Sequence, residues 1–81
     1  MRLLDTESDR SVWQAHLYLE PAEARELRNT LDKLLIDPDR NEHEHLLDSN
    51  GRDLSVSILT PTKLASGRYT ARERALFAEK R

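Results

Sequence analysis

Cysteine is absent from these 81 residues, and glycine (two), proline (three) and aromatic rings (one Phe, one Trp, two Tyr) are scarce. The missing thiols exclude disulfide staples, thiolate zinc sites, iron–sulfur clusters and cysteine nucleophiles together. A secreted domain of this size ordinarily needs such staples, so a cytoplasmic location is expected. Two glycines are too few for a glycine-rich phosphate cradle. No apolar run exceeds a few residues, Leu34-Leu35-Ile36 being typical. A membrane span needs about 20 and a signal-peptide core about 7–15. No membrane contact is expected.

Leu, Ile, Val and Phe supply 19 of the 81 residues, and the formal net charge is −2. That is enough apolar content for an ordered but thin core. A chain this short buries only about 60% of its unfolded surface, so association is a source of added stability. The balance of charge conceals an asymmetry. Residues 1–60 carry a net −6 and residues 61–81 a net +4. An acidic body with a basic tail suits self-docking, assembly, or an acidic partner for the tail.

Three stretches divide the chain: a polar N-terminal segment 1–11, a βαββ domain 12–60, and a basic segment 61–81 with a short helix. From Val12 to Leu19, Trp13, Ala15, Leu17 and Leu19 alternate with Val12, Gln14, His16 and Tyr18. Period 2 predicts a half-buried strand. At Glu20-Pro21 the period changes. Ala24, Leu27, Leu31, Leu34 and Leu35 form a helical stripe, opened by a proline suited to the first helical position. Asp37-Pro38 ends it, since proline disfavours helical geometry in the preceding residue.

Two further strands are expected, Glu42–Asp48 and Arg52–Thr60. A two-residue Asn50-Gly51 loop would set Asp48 opposite Asp53, which is unfavourable for like charges. A three-residue loop with Gly51 in the left-handed region sets Asp48 opposite Arg52 and Leu46 opposite Leu54. The second register is preferred. It turns Leu46, Leu54, Val56 and Ile58 inward, with Glu44 as a misfit, and His43, His45, Ser55 and Ser57 outward. Ser66-Gly67 is a flexible break. Thr70-x-x-Glu73 is a capping box before a short helix carrying Ala71, Ala75, Leu76 and Phe77.

These elements predict a two-layer α+β fold of order β-α-β-β-α, with a three-stranded, mostly antiparallel sheet (order 1-3-2) covered on one face by one helix. The strand Val12–Leu19 then forms an unguarded, proline-free edge, which invites a homodimer.

On such a sheet all three histidines share the solvent face. His43 and His45 emerge side by side, and a His-x-His pair can hold Zn²⁺ or Ni²⁺. His16 lies two strands away, about 10 Å by inter-strand spacing. Solvated surface histidines account for the pattern without a metal. Ser55 and Ser57 beside His43 and His45 supply nucleophile and base in composition only, with no elbow or oxyanion turn. No catalytic residue, cofactor or metal ligand is assigned, and the chain is expected not to be an enzyme.

The functional expectation is a protein-interaction module, of the size of accessory, antitoxin or immunity proteins, acting on another protein. Its contacts are expected at His16, Tyr18, His43 and His45 on the sheet and at Arg72, Arg74 and Phe77 in the tail. Two alternatives remain: a nucleic-acid-associated regulator acting through the basic segment, and a histidine-based metal-binding module. Tyr18, His16, His43 and His45 on the outer face could stack on bases, but the acidic body opposes phosphates, so the tail is the better-suited footing for nucleic acid.

Overall fold

The computed structural model describes residues 1–80, so Arg81, counted above in the basic segment, lies outside the described residues. The chain folds as β1 (Leu4–Asp5), β2 (Arg10–Ser11), α1 (Pro21–Ile36), β3 (Glu44–Leu47), β4 (Asp53–Val56), α2 (Pro61–Ala65) and α3 (Ala71–Ala78). The α+β class stands, but the expected three-stranded sheet does not form. There are instead two separate antiparallel hairpins, β1–β2 and β3–β4.

The correction falls on Val12–Leu19, which belongs to neither sheet. Alternation of side chains says that a segment suits a strand; it does not supply an edge for the segment to pair with. Val12 still donates its N–H to Leu3 O at 2.9 Å, extending the first hairpin by one bond. Beyond it the chain runs exposed to α1 except at Leu19, which is half-buried.

The helix forms where its signals lie. Pro21 opens it, Glu20 N–H donates to Glu23 Oε1 at 2.9 Å, Glu23 lies in the first turn and Lys33 in the last. Asn41 closes the other end by donating its side-chain amide to Lys33 O and Leu34 O. One side of α1 packs on β3. Lys33 pairs with Glu44 at 2.9 Å, which relieves the inward misfit expected of that carboxylate.

The second hairpin adopts the three-residue loop. Leu46 stands opposite Leu54 and His45 opposite Ser55. Asp48 N–H donates to Arg52 O, and Gly51 takes φ +87°, a conformation open to glycine at little cost. The Asp48 carboxylate accepts from the amides of Asn50 and Arg52 at 2.9 and 2.8 Å. These bonds, the Arg52 amide foremost, hold its carboxyl below the ordinary Asp value. Both strands are shorter than expected, since pairing stops at Glu44 and Val56.

The polar segment 1–11 folds as a hairpin. The Asp5 side chain accepts from Glu7 N, Ser8 N and Ser8 Oγ, closing an Asx-type turn between β1 and β2. The Ser8 hydroxyl is the main reason that the Asp5 carboxyl lies below its usual value. This hairpin then binds the far end of the chain. Arg2 donates from Nε to Leu76 O and from Nη2 to Phe77 O and Glu79 O, at the C-terminal end of α3 where a cation is favoured. Ser11 Oγ donates to the Glu79 carboxylate, and Arg72 pairs with Asp9 at 2.9 Å. The basic segment is thus tied to the N-terminal hairpin.

The core is small. Among the described residues only Leu34, Leu46, Leu76 and Lys63 are buried. Lys63 sits in α2, capped by Thr60, and its Nζ donates to Ile58 O at 2.8 Å. Its alkyl stem provides apolar volume that a sequence count of Leu, Ile, Val and Phe does not include.

A candidate docking surface

With only two strands beneath it, α1 cannot cover its whole apolar stripe. Leu34 is buried and Leu27 and Leu31 are half-buried, but Ala24 and Leu35 of the same stripe are exposed. Ile36, next in sequence, is 82% exposed. On β3, Leu47 points to the outer face beside His45 and is also exposed. Trp13, Leu17 and Tyr18 project from the connection before α1, and Leu59 and Leu64 from the segments around α2. What the sequence hid was the uncovered half of the helix stripe, because a three-stranded sheet would have covered it.

The expected partner-contact residues divide into three groups. His43 and His45 lie together on the outer face of the hairpin, ring edge to ring face at 4.9 Å. His16 does not join them: it stacks on Tyr18, with centroids 4.1 Å apart and planes 8° from parallel. The reason is the missing third strand, which would have carried His16 onto that sheet. Arg72, Arg74 and Phe77 form the third group and are engaged within the chain. Arg72 binds Asp9, Arg74 Nη1 donates to Tyr69 O, and Phe77 packs edge-on against Tyr69 at 4.9 Å.

A serine, a histidine and an aspartate do meet on the outer face. Ser55 Oγ lies 2.9 Å from His45 Nδ1, and the Asp53 carboxylate reaches the same Nδ1 at 2.9 Å. Opposite pairing brings Ser55 to His45, and the diagonal position brings Asp53. Asp53 was not among the expected site residues, although the chosen register implies its place. In a nucleophilic triad the acid and the nucleophile use opposite ring nitrogens. Here both compete for one, so the imidazole cannot relay a proton between them. The cluster serves as a cross-strand tie between β3 and β4.

Among the described residues no group of three or more His, Asp or Glu side chains is arranged to hold a metal ion. Two concave spaces among the described residues are shallow and polar. One lies between the turns at Thr6-Glu7 and Asn50–Asp53, and another between Tyr18–Glu23 and Asp48–Arg52. Neither offers the enclosed apolar lining of a small-molecule site. Among the described residues no helix is long and apolar enough to cross a membrane. Comparison with models of protein families, with characterised proteins and with solved structures gives no match.

Proposed function

We propose that this chain is a non-enzymatic protein-interaction module whose exposed apolar surface is covered by another polypeptide. One observation carries the reading. The chain exposes 6669 Å². A compact monomer of 9.4 kDa exposes about 5,000 Å² by the usual scaling of surface with mass. The surplus is about 1,600 Å², against roughly 800 Å² that each partner buries in an interface of standard size. The shape agrees with the area: the radius of gyration is 13.7 Å, whereas about 11.7 Å is usual for this length.

The geometry of the rival sites supports the same reading. Two of the arginines expected to meet a nucleic acid are engaged within the chain, Arg72 with Asp9 and Arg74 with Tyr69 O. Among the described residues, His43 and His45 do not join a further side chain in an arrangement that could hold a metal ion. The Ser55–His45–Asp53 cluster lacks the geometry for proton relay.

The test places a photo-crosslinking amino acid at Ile36 or Leu47, with exposed Arg40 as the control site, in cells producing the protein. Discrete protein adducts from Ile36 or Leu47, absent from the control, are the expected result. Nucleic-acid adducts alone, or no adduct at either site, would overturn the proposal.

A further inference from the structure

The exposed connection before α1 has a specific use. Gln14–Leu19 suits a strand by pattern, holds no proline, and belongs to the charge-free stretch Val12–Leu19 in a chain that is 35% charged. Among the described residues its backbone makes no hydrogen bond: the ladder ends at Val12 N to Leu3 O and resumes at Ala24 N to Glu20 O. The His16–Tyr18 stack shows the local geometry. Two side chains two positions apart lie on one side of the chain, as they do in extended backbone. The segment therefore has the sequence and the side-chain disposition of a strand, and lacks only the neighbour. Natural edge strands are usually guarded by charge, proline or a bulge, and this one carries no charged or proline guard.

We propose that Gln14–Leu19 of two copies pair as antiparallel strands about a two-fold axis, with Leu17 beside its own copy at that axis. This rests on the interaction-module reading above and names the partner as a second copy of this chain. Two-fold pairing requires that opposed residues point to the same face, so odd positions meet odd and even meet even. Two registers keep the segment centred. Centring on His16 sets two imidazoles against each other, which repel when protonated. Centring on Leu17 sets Leu17 against Leu17 and Ala15 against Leu19 on one face, and His16 against Tyr18 on the other. The second register is adopted because every opposed pair is compatible. The surplus of about 1,600 Å² per chain exceeds the roughly 800 Å² that each partner buries in an interface of standard size, so the fold has surface to spare for such a pairing.

Because the natural chain has no cysteine, single-cysteine variants report the register directly. Across an antiparallel pair the opposed Cα atoms are about 4.5–5.5 Å apart, within disulfide reach. Leu17→Cys should therefore oxidise to a covalent dimer, while Ala15→Cys, offset from its own copy by four residues, should remain monomeric on a denaturing gel. Light scattering should give twice the 9.4 kDa chain mass for the natural protein. Leu17→Pro should give the single mass with the helical circular dichroism retained, since no intrachain ladder bond is lost.

Equal oxidation of both cysteine variants would overturn the register, and a monomer at every concentration would overturn the dimer. A monomer that still gives adducts to a different protein from Ile36 or Leu47 would refute self-pairing and leave the module reading intact. A monomer without adducts would refute both.

Discussion

Leu34 and Ile36 stand two residues apart in one helix and have opposite environments, 1% and 82% exposed. Truncating each to alanine separates what the monomer core does from what its surface does. Leu34→Ala removes about three methylene equivalents, worth roughly 2.4 kcal/mol at 0.8 kcal/mol each. The cavity left behind adds to that, within the usual span of about 2–5 kcal/mol. Only four buried side chains make up the described core, so few neighbours can close the gap. About 3 kcal/mol is the expected loss. An 81-residue chain has roughly 4–12 kcal/mol in total, so the variant should be visibly frayed at room temperature. Ile36→Ala, measured on the Leu17→Pro background, should change stability by no more than about 0.5 kcal/mol. The assay is urea unfolding followed by far-ultraviolet circular dichroism, with the slope checked for constancy before midpoints are compared. A loss below about 1 kcal/mol for Leu34→Ala would refute the account of the core.

Arg2→Ala should release the C-terminal helix, since one guanidinium binds the carbonyls of Leu76, Phe77 and Glu79; about 1 kcal/mol of stability and faster amide exchange confined to α3 are expected. Lys63→Ala should cost about 2 kcal/mol or more, and Lys63→Met should recover most of it in the same urea assay, because the aliphatic stem fills the space. If the two variants are equally damaging, the bond to Ile58 O is the larger contribution. Asp48 and Asp5 have carboxyls held below their ordinary values by turn hydrogen bonds. Their stabilisation is complete above the unfolded value of about 3.9 and is lost as pH falls through the lower folded values. Unfolding midpoints should therefore drop below about pH 4, and the drop should shrink in Asp48→Asn.

The elements legible in the sequence were those whose signals are local. Pro21 and Glu23 marked the start of α1, Thr70 and Glu73 that of α3, and the choice between two loops at Asn50-Gly51 set the register that pairs Leu46 with Leu54. What failed depended on partners far along the chain. Val12–Leu19 has a strand's alternation, but whether a free edge lies beside it is a tertiary fact. The first hairpin leaves little trace in the sequence because its two-residue strands carry almost no apolar pattern, and its turn is held by Asp5 and Ser8 instead. Thr60 closes the expected strand Arg52–Thr60, yet a threonine cap followed by proline is also a helix start, as α2 shows. Of the candidate site, the pairing of His43 with His45 followed from strand alternation. The engagement of Arg72 by Asp9 joins positions 63 residues apart, and nothing local encodes it.

Pairing of two copies through Gln14–Leu19, as proposed, would tie stability to protein concentration. Calorimetric unfolding over a hundredfold range of concentration reads that dependence. A dimer that unfolds to separate chains gains about 2.7 kcal/mol over that range, which at the usual unfolding entropy of two such chains raises the midpoint by about 8 °C. That rise is the predicted result, with Leu17→Pro showing none. A midpoint that stays the same across the whole range in the natural protein would contradict the claim.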